Sequence, residues 1–97
     1  MNEHQQRLWQ NMIGLIQAFL NGETGDFYGT VGELEGALDA SEIKDPSLIN
    51  QWYDFWTPLE IRRAIEGNNI NKNEAIIELT NMKKFLLSQQ ELQNKVD

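Results

Sequence analysis

Cysteine is absent and histidine occurs once, at His4. Those two gaps remove disulfide frameworks, thiolate nucleophiles, thiolate zinc sites and every paired-histidine metal motif, so neither a metal nor a cofactor is expected. Long apolar runs are also lacking. The N-terminus is polar from Met1 to Gln6, and the longest apolar stretch, Met12 to Leu20, is interrupted by Gly14 and Gln17. No signal peptide or membrane span is readable, and a soluble, cytoplasmic protein is expected. Proline plus glycine reaches only nine and charged residues 24%, with periodic apolar positions, so neither disorder nor a fibrous repeat fits. At 97 residues and 40% hydrophobic, the chain has the size of one compact domain, which excludes a multidomain enzyme.

What the chain has in excess is negative charge, and it is concentrated. Residues 23–45 carry Glu23, Asp26, Glu33, Glu35, Asp39, Glu42 and Asp45 against Lys44 alone, which is −6 of the net −7. A negative field repels phosphate backbones and anionic lipid, so nucleic acid and membrane surfaces are disfavoured and a basic protein partner is favoured. The dibasic pairs Arg62-Arg63 and Lys83-Lys84 do not reverse this, because adjacent helical residues point about 100° apart.

The apolar spacing is helical throughout. Leu8, Met12, Leu15, Ile16 and Phe19 line one side of a first helix, over about residues 3–21, widened by Trp9, Ile13 and Leu20 and stopped by Asn21-Gly22. Phe27, Val31, Leu34 and Leu38 form the narrow face of a second, with Thr24 or Asp26 as its cap. Opposite that face Gly29, Gly32 and Gly36 fall together with Ala40, and each interior glycine costs about 0.5–1 kcal/mol relative to alanine. This is predicted to be the least stable helix.

Asp45-Pro46 opens a third helix whose face is Leu48, Trp52, Phe55, Trp56 and Leu59. Continued ideally, it would turn Ile61 and Ile65 outward and bring Arg62, Arg63 and Glu66 onto the apolar side. Thr57-Pro58-Leu59-Glu60 reads as a capping box, so the helix is predicted to break or kink sharply at Thr57, giving segments 46–56 and 57–66. A helix packed on both sides is the alternative. After the turn Gly67-Asn68-Asn69, Asn71 with Glu74 starts a last helix with the core line Ala75, Leu79, Met82 and Leu86, flanked by Ile76 and Phe85. Beyond Ser88 the pattern thins, and the last eight or so residues are expected to fray. The fold predicted is a small all-α bundle of four main helices joined by short loops, with sequential helices antiparallel.

Chemistry has few carriers here. Acid–base hydrolysis needs two carboxylates converging in different environments, and only distant acids such as Asp54, Glu60 and Glu78 are available for it. No Glu-x-x-His motif of a di-metal bundle occurs. No catalytic residue is therefore assigned. Trp52 and Trp56 are expected in the core, and Tyr53, off the stripe, as the exposed ring able to anchor a partner. The glycines of the second helix within its acidic frame would let another backbone approach closely. The expected partner-binding set is Asp26, Gly29, Gly32, Glu33, Glu35, Gly36, Asp39, Glu42 and Tyr53.

Phe19, Asn21-Gly22, Phe27, Val31, Leu34-Glu35, Leu38, Trp52, Phe55, Trp56, Leu59-Glu60 and Ala64 together resemble a loosely defined group of short, acidic, helical bacterial proteins, over about residues 15–66. In that group the third helix runs on from the tryptophans, and Pro58 departs from the pattern. The resemblance implies no activity. By analogy small acidic bundles include immunity proteins of toxin systems. The function expected is a non-enzymatic binding protein for a basic partner, immunity- or inhibitor-like. The alternative is a structural homo-oligomer packed through the glycine face of the second helix, so that the chain is either a monomer or a homodimer.

Overall fold

Four helices follow one another in the computed structural model, which describes residues 1–94: α1 (Glu3–Leu20), α2 (Phe27–Ser41), α3 (Pro46–Glu66) and α4 (Lys72–Asn94). Their ends are set by local chemistry. Asn2 and Gln5 close a capping box on α1, and Gly22, at φ 76°, turns the chain after it. Asp26 caps α2 by accepting from the Gly29 N–H at 2.9 Å, while the Thr24 hydroxyl accepts from the Asp26 N–H. Asp45 accepts from Ser47 and Leu48 with Pro46 in the first turn of α3, and the Asn71 side chain accepts from the Glu74 N–H at the start of α4. At the end of α2 the left-handed position falls on Glu42, at φ 57°, where glycine is the unstrained residue. α2 thus has glycines inside the helix and a glutamate where glycine belongs.

Each helix packs on its sequence neighbour and α1 packs on α4, which closes a four-membered ring with α1 diagonal to α3 and α2 diagonal to α4. Cross-helix pairs give the directions. Met1 meets Gln93 and Gln10 meets Gln90, Phe19 meets Phe27, Val31 meets Trp56, and Phe55 stacks on Phe85, so neighbours run antiparallel.

The core collects the expected faces: Trp9, Met12, Ile16 and Phe19 from α1, Phe27, Val31, Leu34 and Leu38 from α2, Leu48, Trp52, Trp56 and Leu59 from α3, and Ala75, Leu79, Met82 and Leu86 from α4. All three tryptophans are buried, and each indole N–H has a partner. Trp9 donates to the Leu86 carbonyl at 2.8 Å, Trp56 to the Val31 carbonyl at 3.0 Å, and Trp52 reaches the Met12 sulfur at 3.3 Å across the diagonal. Burial of these polar atoms therefore leaves no orphaned donor.

One expectation about helix continuity is corrected. Of the break or kink predicted at Thr57, the break does not occur: α3 runs as one helix with Pro58 inside it. Proline lacks the N–H that would bond the Asp54 carbonyl, a cost of about 3 kcal/mol in a helix interior, and packing outweighs it because Leu59 is fully buried one residue later. α4 reaches Asn94, and near its end the Met1 ammonium donates to Gln93. Residues 95–97 of the stretch expected to fray lie outside the described residues.

Candidate functional site

The acidic segment forms α2 and its flanking loops, and the structure sorts the expected binding residues into two groups. Glu33, Gly36, Asp39 and Glu42 are exposed, with Ala40 beside them. Around Gly36, Glu33 and Asp39 stand three residues away on either side and Ala40 four, so they share one helical flank. A side chain added at Gly36 would meet nothing within 4 Å. This is a bare strip of backbone between carboxylates.

The remaining members are engaged from within. Asp26 covers Gly29, its carboxylate lying where a Cβ would go, and also accepts from Asn68. Gly32 is covered by α3: its absent Cβ leaves room for the Arg63 guanidinium, whose nearest nitrogen would stand 3.1 Å from one. That guanidinium sits 4.0 Å above the Tyr28 ring, a cation–π contact, and bonds Glu60 at 2.9 Å. Gly29 is thus covered by the cap of its own helix and Gly32 by an arginine from α3, and the open part of the strip is Gly36.

Tyr53 is placed differently from its expected exposed position. Its ring is half-buried edge-on to both Trp52 and Trp56, and its hydroxyl donates to Glu35 at 2.9 Å. Burial first, then the hydrogen bond to Glu35 and the charges of Glu35 and Asp39, raise its pKa from 10.0 to about 12. Glu35 and Tyr53 form a tie between α2 and α3 and not a free anchor.

Charge pairing makes the acidic strip distinctive. Among the described residues, the ion pairs join Arg62 to Glu66, Glu74 and Glu78 and join Arg63 to Glu60. None involves an acid between 23 and 45. Hydrogen bonds to Glu78 for Arg62, and to Glu60 for Arg63, hold both guanidiniums above their ordinary pKa. Four acids of α3 and α4, Glu60, Glu66, Glu74 and Glu78, thus have arginine partners, and none of the acids of α2 has one among the described residues.

Of the carboxylates weighed for hydrolysis, Asp54 and Glu78 line one recess of about 200 Å³, and Glu60 is turned to Arg63 instead. Among the described residues no cluster of three metal-ligating side chains occurs, and no helix is long and apolar enough to cross a membrane. The sequence reading missed the Arg63–Tyr28–Gly32 stack and the exposure of Ile61, Ile65 and Ile77. For α3 the signal was present, since an unbroken helical register places Arg62 and Arg63 inward. No protein-family model, curated protein or solved structure matches the chain.

Proposed function

We propose that this chain is a non-enzymatic, cytoplasmic binding protein whose α2 surface, Glu33, Gly36, Asp39 and Glu42, receives a basic protein partner in the manner of an immunity or inhibitor protein. The observation that carries the reading is the concentration of −6 in residues 23–45, where the acids of α2 have no ion-pair partner among the described residues. Unpaired like charges on one flank create a field that steers a cationic partner, accelerating encounter and making it sensitive to salt. Gly36 gives that partner's backbone a close approach at the centre of the field.

The experiment is a pull-down from the native host eluted with a salt gradient, run beside a variant carrying Glu33→Gln, Asp39→Asn and Glu42→Gln. A basic protein released by salt and absent from the variant's eluate supports the reading. Recovery of only salt-insensitive partners, or none, removes its support. The homo-oligomer alternative is less well supported, because Arg63 and Asp26 occupy Gly32 and Gly29 and the acids would face themselves. Sedimentation at low and high salt separates the two, and a dimer that tightens with salt favours the alternative.

A further inference from the structure

Ile61 and Ile65 on α3 are 55% and 78% exposed, and Ile77 on α4 is 61% exposed. Neighbouring side chains fix where they point. Arg62 reaches α4, bonding Glu74 and Glu78, whereas Arg63 reaches α2 over Tyr28. At about 100° per residue, Ile61 lies on the side of Arg62 away from Arg63, and Ile65 lies about 60° from Arg62 in the same direction. On α4, Glu78 faces α3 while Ala75, Leu79 and Met82 are buried. Ile77, one residue before Glu78, is therefore on the flank turned from the core. Because α3 and α4 are antiparallel, these flanks are one face of the pair, and the isoleucines border the Arg62–Glu78 seam from both sides.

Three such side chains present a few hundred Å² of apolar surface, comparable to the largest patch on an ordinary monomer. A second copy of this chain is a poor cover for it. The patch is well below the roughly 800 Å² per partner of a stable interface, and its surroundings, Asp54, Glu66, Glu74 and Glu78 against Arg62 and Lys84, remain net negative and would set acids against acids. A partner with an apolar stripe flanked by cations satisfies both conditions. Beside the seam lies the recess of about 200 Å³ lined by Asp54, Phe55, Pro58, Glu78 and Asn81. Glu78 Oε2 is buried without a hydrogen-bond partner, and the Asp54 carboxylate at the recess is exposed with no ion-pair partner among the described residues. An exposed, unpaired carboxylate beside a recess suits a cationic head group.

We infer that the outer face of the α3–α4 pair is a second docking surface, taking an amphipathic basic helix of a partner protein. Its apolar side chains lie on Ile61, Ile65 and Ile77, and a lysine or arginine enters the recess beside Pro58. The inference stands apart from the α2 reading, since α2 packs on α1 and α3 and not on α4.

The test is an NMR titration of isoleucine δ1-methyl groups in the full chain, using a short amphipathic leucine–lysine helical peptide and a scrambled peptide of the same composition. The expected result is shifts centred on Ile61, Ile65 and Ile77, with the scrambled peptide at least about tenfold weaker. Ile61→Ser with Ile65→Ser should weaken the amphipathic peptide by a similar factor at unchanged thermal midpoint, and Asp54→Asn should weaken it less. The triple substitution at Glu33, Asp39 and Glu42 should leave it unchanged. Equal binding of the scrambled peptide, loss of binding in the triple variant, or methyl shifts that grow with protein concentration alone would each overturn the inference, the last in favour of a second copy.

Discussion

The two ends of α3 solve the same packing problem with opposite chemistry. From Leu48 to Leu59 the inward positions are Leu48, Trp52, Trp56 and Leu59, all buried. Beyond Leu59 the next positions toward the neighbouring helices are Arg62 and Arg63, while Ile61 and Ile65 face water. A continuous helix cannot rotate between one turn and the next, so the register that buries the tryptophans also dictates where the last turns point. Arginine is tolerable there because its stem packs along apolar surface and its head finds carboxylates or an aromatic face. Orientation is thus decided by the aromatic half and satisfied afterwards by pairing in the charged half.

Substitutions in each half should separate these roles. Trp56→Ala should cost about 3–5 kcal/mol in chemical denaturation, a large share of the stability of a domain this size, and a near-neutral result would dissolve the contrast between the halves. At the boundary, Pro58→Ala should stabilise by about 2–3 kcal/mol, because the helix already runs through this exposed position and regains a hydrogen bond. A net loss would show that the ring itself is needed in its recess.

In the charged half, Arg62→Ala should cost about 2 kcal/mol by leaving Glu66, Glu74 and Glu78 to repel one another, and Arg62→Leu with Glu78→Leu should recover most of it. A double variant no better than the single would mean that the pair contributes more than burial of its stems. The smallest effect is at high pH. Tyr53 holds its proton to about 12 in the fold against 10.0 unfolded, so its contribution is present below pH 10 and is lost as pH rises toward 12. Stability followed across that window should fall less steeply in Tyr53→Phe.

Much of the bundle was legible because apolar spacing and caps agreed. The faces around Met12, Val31, Trp52 and Leu79 and the caps at Asp26, Asp45 and Asn71 are local signals, and each is realised. Thr57-Pro58-Leu59-Glu60 misled because it is a valid helix start by itself, and the outward turn of Ile61 and Ile65 in a continuous register reinforced it. Only tertiary pairing of Arg62 with α4 and of Arg63 with Gly32 and Tyr28 makes the unbroken register acceptable. At the candidate site the acidic concentration was visible in composition. That Gly32 admits an arginine from the same chain, and that Glu35 holds Tyr53, depended on residues distant in sequence meeting in space.

The bond from the Trp9 indole to the Leu86 carbonyl joins residues 77 positions apart. Since α1 lies between α2 and α4 in the ring, this contact and the seal it makes form only after α4 has emerged from the ribosome. During synthesis the growing chain carries one open side of α1, with Trp9 uncovered, for the whole time needed to make α2 and α3. That interval exposes an indole and its apolar neighbours to other nascent chains and to chaperones, so the last helix sets when, as well as whether, the protein becomes safe from aggregation.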